Sequence, residues 1–600
     1  MKKKRQLITS AFVEAWSFDE DLFFLGEWCK SYSKKDFWFH QSYTVLPYHW
    51  DDRQKLYEDS LYLQKIIEKF MSIYAVKLNH LHHLDWSEKS WRIVLLPWVT
   101  IAVSCLFDRY FTLLSAVNSA PDEFYTVICD KISDFEFVPT DYSEALDWLI
   151  DNDLYNFCLY SYILKHHIPR KIKLKSFEFS ALDCSRYFNT SVDKIKNKSL
   201  KARVKNTFVK WAFKLNCLNQ DIFFSSVRFG LFDLIKLKLR CLKVPLFDRV
   251  PTDVSVCQFL ELNKNYRCSL FMEEGSEDTF ENLCGSILPK IMPRAYIEGF
   301  DLLFNQIVEN FPKKTKLILT ANSQYSNELF KIYSAYQVHL GARYAIIQHG
   351  GNYGSAKFSL MESQEITVAD KFFSWGWRSS AHPNVVPMPA SKLICMSRKS
   401  SNSFGSKLLV PMLSCPRYSY TIFSMPIAGQ VNDYYSHLES LFQKLLPSIR
   451  REVDCRLDSH DYGRGARQII IDFGLELSIS TAKQPLYRAL KKSSLCLATY
   501  NATIFLETFS LNFPTVIFWD PIYFELKEDA IPYFEILKEV GILFYDANVA
   551  AQHINNIYAN PKAWWTQPCI QRAKDIFCER YAYVGDSPYD AWRNYLKEPI

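Results

Sequence analysis

The 600-residue chain is 48% hydrophobic and 23% charged with a formal net charge of +6, an ordinary folded composition that excludes a disordered protein. Aromatics reach 16%, enough for large cores and stacking surfaces, while 17 glycines exclude collagen-like and glycine-rich architectures. Sixteen cysteines are scattered without a CxxC, so zinc-ribbon spacing and a small disulfide framework do not fit; free thiols in a reducing cytosol are expected.

The opening MKKKRQLITSAF is basic, but Glu14 and Asp19 interrupt the apolar stretch that a secretory signal needs, so a cytoplasmic protein is expected. Leu22 to Leu25 reads as a strand ending at Gly26, with Glu27 directly behind it. Apolar periodicity then predicts helices over Asp52 to Lys77 and Ser143 to Leu164. The run Ile93 to Phe107 holds Pro97 and falls short of the roughly 20 residues of a membrane span, which makes it a buried helix. His80, His82 and His83 lack a third ligand and HExxH spacing, and the acids of Met272 to Glu281 lack the ligand order of a calcium loop; no metal site is expected at either. Lys165 to Lys214 carries 14 Lys and Arg against three acids. Lys194, Lys196, Lys198, Lys201, Arg203 and Lys205 make this stretch either a solvated face or a contact for an anionic membrane leaflet, where each cation contributes about 1 kcal/mol. No nucleic-acid-binding module accompanies it, so nucleic acid is not expected.

From Lys316 the texture changes to short β-rich runs alternating with helices: Leu317 to Leu319, a helix near Asn327 to Leu340, Tyr344 to Ile347, then Lys371 to Ser374. That is the rhythm of a parallel sheet. The polar stretch Ser397 to Lys407 reads as a linker. Beyond it the rhythm resumes with strands Leu408 to Val410, Gln468 to Ile471, Ser494 to Thr499, Thr515 to Phe518 and Ile542 to Phe544, separated by helices including Asp433 to Leu446 and Thr503 to Leu511. The expected organisation is an N-terminal α/β domain over 1–400 with a helical and basic insertion at about 50–290, a C-terminal domain over 405–565, and a helical tail over 566–600 that packs back on the first domain.

Paired parallel sheets bind ligands outside the carboxyl ends of their strands. There, Tyr344 to Ile347 runs into Gln348, His349, Gly350 and Gly351, where glycines allow close backbone approach and a neutral imidazole can act as acid or base. His349 is one candidate catalyst and Glu27 a second, provided its strand shares the sheet of His349; otherwise Glu27 caps a helix. In the C-terminal domain, Tyr500, Asn501 and Thr503 lead into the helix that carries Glu507. Asn501 or Thr503 can cap that helix, its free N–H groups can seat a phosphate, and Glu507 can accept from ribose hydroxyls or be a surface acid. Arg417 and Arg456 can pair with phosphate oxygens or with surface acids. A P-loop and a dinucleotide GxGxxG are both missing, which weighs against kinases and ordinary dehydrogenases.

Taken together, FLGEWCKSYSKKDFW, VLPYHWDDR, WRIVLLPW with FDR, QHGGNYG, FSWGW, PRYSYTIFSMPIAGQ and TYNATIFLETFSLNFPTVIFWDP resemble the transferase family encoded in bacterial O-antigen and surface-polysaccharide loci. The resemblance runs from about Leu7 to the Tyr581 region. It implies an α/β fold of two Rossmann-like domains in the GT-B arrangement, with a large helical elaboration of the N-terminal half. It also implies sugar transfer from a nucleotide-activated donor to a growing, lipid-linked surface polysaccharide, with no cofactor and no metal, at the inner face of the cytoplasmic membrane. More distantly the chain is similar to capsule-type Kdo transferases and teichoic-acid glycerophosphotransferases, which leaves phosphoalditol transfer as an alternative and a membrane-associated scaffold as a further one. The donor phosphate is expected on the Asn501 to Thr503 helix start with Arg417 or Arg456, and the donor loop at Gly350 and Gly351.

Overall fold

The computed structural model describes residues 5–119, 124–168, 172–179, 188, 221–241, 250, 254–272, 279–399 and 405–597. Most of the basic stretch Lys165 to Lys214, its six patch residues included, lies outside the described residues, as do the centres of the Met272 to Glu281 loop and of the expected linker.

The described residues build three parallel sheets. The first comprises β1 (Arg5–Ile8), β2 (Asp21–Phe24) and β3 (Tyr43–Val45), followed by helices α1 (Arg53–His82) and α2 (Glu88–Ser119), then β4 (Phe124–Ile128), α3 (Tyr142–Asp151), α4 (Asp153–His166) and β5 (Lys173–Ser176). Its strand order is β3-β2-β1-β4-β5, the doubly wound pattern. The second comprises β6 (Ile222–Ser225), α5 (Leu231–Arg240), β7 (Leu317–Thr320), α6 (Glu328–His339), β8 (Arg343–Ile347), α7 (Leu360–Val368), β9 (Lys371–Ser374) and β10 (Val385–Pro387), its strands side by side in chain order. The third comprises β11 (Lys407–Pro411), α8 (Val431–Lys444), β12 (Val453–Leu457), α9 (Ala466–Asp472), β13 (Ser478–Thr481), β14 (Ser493–Ala498), α10 (Thr503–Ser510), β15 (Thr515–Phe518) and β16 (Leu543–Phe544), in the order β13-β12-β11-β14-β15-β16. The second and third sheets are the expected Rossmann-like pair. The first sheet adds four strands to the early strand read at Leu22 to Leu25, and β2 pairs with β1 and β3 rather than with any strand of the second sheet.

Two further readings are corrected by local chemistry. Gln468 to Ile471 is helical, not extended, because Gly463 and Gly465 take left-handed backbone (φ +69° and +72°) and Asp461 accepts from the Gly465 and Ala466 amides, turning the chain into α9. The single helix expected over Ser143 to Leu164 breaks into α3 and α4, because the Asn152 side chain accepts from the Tyr155 amide and starts a second helix.

Helix α2 is the central post. It is long and apolar enough to cross a membrane by length and composition, yet 89% of its most apolar window is buried inside the protein. Pro97 deprives it of one hydrogen bond at a cost of roughly 3 kcal/mol. Burial of Ile93, Val94, Leu95 and Leu96 alone outweighs this, at about 1.5 to 3 kcal/mol per aliphatic side chain. The tail helix Pro588–Lys597 packs on the second sheet, where Trp592 inserts beside Phe373 and donates to the Pro389 carbonyl (2.9 Å).

Candidate active site

The site starts at β8, where Tyr344 to Ile347 are buried because the parallel sheet is covered on both faces. The strand ends at Gln348, whose amide is fully engaged: Nε2 donates to the Gly350 carbonyl (2.8 Å), while Oε1 accepts from the Trp375 amide (2.9 Å) and the Trp377 indole (2.8 Å). These three bonds fix the histidine–glycine bend. Gly351 is demanded by contact, since a Cβ there would lie 2.1 Å from the carbonyl carbon of Ala502. Its amide donates to Thr503 Oγ1 at 2.9 Å, so the bend of the second sheet sits directly on the start of α10 from the third.

His349 keeps about a quarter of its side chain exposed (26%). Its Nδ1 lies 3.5 Å from Glu365 Oε1 and 3.4 Å from the Tyr353 hydroxyl. Burial, then the charges of Arg228 and Lys392, push the imidazole down to about 4, so it is neutral at pH 7. Glu365, on α7, is buried; Oε1 accepts from Gln324 Nε2 (2.8 Å) and from the Tyr325 hydroxyl, and Oε2 has no partner. Burial lifts this carboxyl to about 8, against the lowering effect of those hydrogen bonds.

Two cations approach the same imidazole. Arg228, behind β6, stands on left-handed backbone (φ +62°) with no ion pair among the described residues, and burial lowers its pKa. Lys392 pairs with Glu507 Oε1 at 2.8 Å across to α10. A neutral imidazole, two cations and a helix N-terminus therefore meet in one crevice, the combination that suits an anionic leaving group.

In the third sheet the strand order reverses between β11 and β14, the position where doubly wound sheets bind ligands. A cavity of about 310 Å³ opens behind β11, β12 and β13, lined by Ser414, Tyr435, Asp458, His460, Arg464 and Arg467 among others. Tyr500 bridges the two regions, for Asp458 and Cys415 of the cavity wall and Glu507 of the crevice all act on its hydroxyl, whose pKa burial chiefly raises.

The residues singled out from the sequence are placed unevenly. His349, Gly350, Gly351, Thr503 and Glu507 come together as described, and Tyr500 joins them to the cavity. Asn501 is buried beneath, its Nδ2 donating to Ser355 Oγ (3.3 Å). Neither Asn501 nor Thr503 caps the helix: Ala502 holds the cap position without a side-chain bond, and the Thr503 hydroxyl is turned to Gly351. Arg456 lies on β12 beside the cavity wall and reaches the Gln484 carbonyl.

Two candidates are displaced. Arg417 is buried, its guanidinium bonded to Asp153 (2.8 Å) and to the carbonyls of Trp28 (2.6 Å) and Tyr462 (3.0 Å), so it ties the third unit to the first instead of facing a phosphate. Glu27 fails its condition because β2 belongs to the first sheet; its carboxylate pairs with Lys30 (2.8 Å) and accepts from Asn432 (3.1 Å) near the start of α8. Arg228, Lys392 and Glu365 went unremarked in the sequence. Arg228 follows an apolar run that ends in SSVRFG, a strand-end signal; nothing local marks the other two.

A sequence profile of the LIC12162 family transferases matches residues 5–596. The chain belongs to the LIC12162 transferase family. No curated protein matches the sequence. Among solved structures, this family member is similar to MnaA of S. aureus in complex with UDP (12% identity, 63% of this chain and 96% of that one, TM-score 0.34). It is also similar to MurG of Acinetobacter baumannii (10%, 50% and 78%, 0.29) and to WaaG, a glycosyltransferase of lipopolysaccharide biosynthesis (10%, 51% and 83%, 0.25). At these scores the likeness carries no weight for the activity of the LIC12162 chain.

Proposed function

We propose that this transferase moves a sugar from a nucleotide-activated donor to a surface polysaccharide of the O-antigen kind, carried on a lipid at the inner face of the cytoplasmic membrane. The observation that supports the reading is the meeting of His349 with the α10 start, held by the Gly351–Thr503 bond and flanked by Arg228 and Lys392. In this reading the donor phosphates lie along Arg228, Lys392 and the first turn of α10. The nucleoside extends past Tyr500 into the 310 Å³ cavity, which is at the low end of the roughly 300 to 1,000 Å³ usual for small-molecule sites. His349 takes the proton of the acceptor hydroxyl as its oxygen attacks the anomeric carbon; the bond from that carbon to the donor phosphate oxygen breaks and the electron pair leaves with the nucleotide. Charge on the leaving phosphate falls to the two cations and the helix dipole, so the step uses no metal.

A thermal-shift panel of UDP-, GDP-, CMP- and dTDP-sugars tests this reading, since a ligand at 100 times its dissociation constant stabilises by about 2.7 kcal/mol. Stabilisation by one base class, followed by a phosphorus-free product linkage, is the expected result. A product linkage that contains phosphorus turns the reading to phosphoalditol transfer, and no stabilisation by any of the four removes it.

A further inference from the structure

Glu365 is a buried carboxyl of the second unit that leaves one oxygen without a hydrogen bond. Glu365 Oε2 is buried without a partner, whereas Oε1 holds the Gln324 amide and the Tyr325 hydroxyl and faces His349 Nδ1 at 3.5 Å. Leaving a buried polar atom unpaired is costly, and a protonated carboxyl would still lack an acceptor for its hydrogen there. Glu365 Oε1 and the Tyr353 oxygen lie at Nδ1, and the Ala321 carbonyl also hydrogen-bonds the ring; with its hydrogen on Nδ1 the neutral imidazole faces Glu365 and keeps the free electron pair on Nε2.

We infer that Glu365 is a positioning residue for His349: as a carboxylate it accepts from Nδ1–H, fixes the tautomer, and balances the imidazolium that forms when Nε2 takes a proton. The inference deepens the proposed transfer and rests on it for the identity of the proton donor, the acceptor hydroxyl. With Glu365 protonated, the imidazolium would stand beside Arg228 and Lys392 with no counter-charge, and the base would be weak. The working state therefore requires an ionised Glu365.

The groups that set this ionisation surround it on every side. Gln324 and Tyr325 come from the helical turn behind β7, Tyr344 from β8, and His349 and Tyr353 from the bend. On α7 itself stands Glu362, held by Lys527 (2.6 Å). Arg92 from α2 lines the same small cavity and is held by Glu68 and by Glu88 (2.7 Å). The carboxyl lies near 8, so the carboxylate, and with it the more nucleophilic, carboxylate-paired state of an imidazole already neutral at pH 7, grows in as pH rises from 7 to 9.

The test needs neither donor nor acceptor. Diethyl pyrocarbonate labels unprotonated imidazole at a rate that rises with its nucleophilicity, so an imidazole already neutral reports its pairing with Glu365; peptide mass spectrometry gives the rate at His349 alone, corrected by N-acetylhistidine at each pH. In the wild-type chain the corrected rate should step upward with a midpoint near pH 8; in Glu365→Gln the step should vanish. Tyr325→Phe, which removes a hydrogen bond to the carboxylate, should move the midpoint to higher pH, and it serves on its own if Glu365→Gln does not fold. A flat wild-type profile, a step that survives in Glu365→Gln, or an unmoved midpoint in Tyr325→Phe would overturn the inference. A pH 8 step in a protein that binds no nucleotide sugar would refute the transfer reading while leaving the His349–Glu365 pairing in place.

Discussion

Gly351 donates its amide hydrogen to Thr503 Oγ1 at 2.9 Å, joining the bend behind β8 to the first residue of α10. The contact is local, but it brings the second and third sheets to face each other across His349. The neighbouring bonds from Lys357 N to the Glu525 carbonyl (2.8 Å) and from Lys527 N to the Ser355 carbonyl (2.9 Å) repeat the tie on the far side of the loop.

This contact predicts opposite outcomes for two adjacent glycines. Gly351→Ala drives a methyl into the Ala502 backbone, which cannot rotate aside, and should destabilise by about 1 to 3 kcal/mol, the usual cost of overpacking. Gly350→Ala meets nothing nearer than 3.7 Å and should stay within about 0.5 kcal/mol of wild type. Urea denaturation of the two variants checks the difference.

Arg417 should behave as a strut. Arg417→Ala leaves the buried Asp153 with Lys34 (3.1 Å) as its counter-charge and should destabilise, by less than the ~3 to 5 kcal/mol of a buried charge left with no partner. Burial works to raise the Asp153 pKa, but Arg417 and Lys34 prevail and hold the carboxyl below its ordinary value. A carboxyl lowered in the folded state stabilises above its unfolded pKa and loses that contribution as pH falls through the folded one. Wild-type stability should therefore drop below about pH 4, with less of that drop in Arg417→Ala. Thermal melts between pH 7 and 3 measure it, and an Arg417→Ala chain as stable as wild type would show the pair to be idle.

Arg228 and Lys392 should hold the donor. Replacing either with Ala should weaken nucleotide-sugar binding by roughly 10- to 100-fold, the worth of a hydrogen bond to a charged group. The Arg228→Ala effect should shrink in high salt because the residue is partly solvated. Calorimetry at two ionic strengths reads both effects.

Much of the paired-sheet half was legible because its strands are short buried runs bounded by turns: Lys371 to Ser374 and Thr515 to Phe518 read as they fold. Of the first sheet only β2 was, through Leu22 to Leu25; the others were not, β1 and β4 because they carry polar residues inside. Gln6 of β1 is buried with its amide bonded to the Ala15 carbonyl and the Ser17 amide, and Thr126 of β4 donates to the Leu7 carbonyl; neither arrangement leaves an alternating pattern. The run Gln468 to Ile471 misled for the opposite reason: three isoleucines look like a strand, but the left-handed Gly463 and Gly465 and the Asp461 side chain have already turned the chain into a helix. In the site, the glycines marked the bend and the strand end marked His349. Glu365 gave no sign, since an acid in SLMESQEITV looks solvated until Gln324 and Tyr325 arrive from some forty residues away.

The role of His349 as base is tested by single-turnover transfer with His349→Ala, alongside calorimetric titration of the same chain with the donor that the thermal-shift panel selects. With the base removed, turnover should fall by about 10²- to 10⁴-fold, the range of a lost general base, with donor affinity close to wild type. Wild-type turnover in the variant, or loss of donor binding from a folded chain, would contradict the assignment of His349 as the base of the reaction.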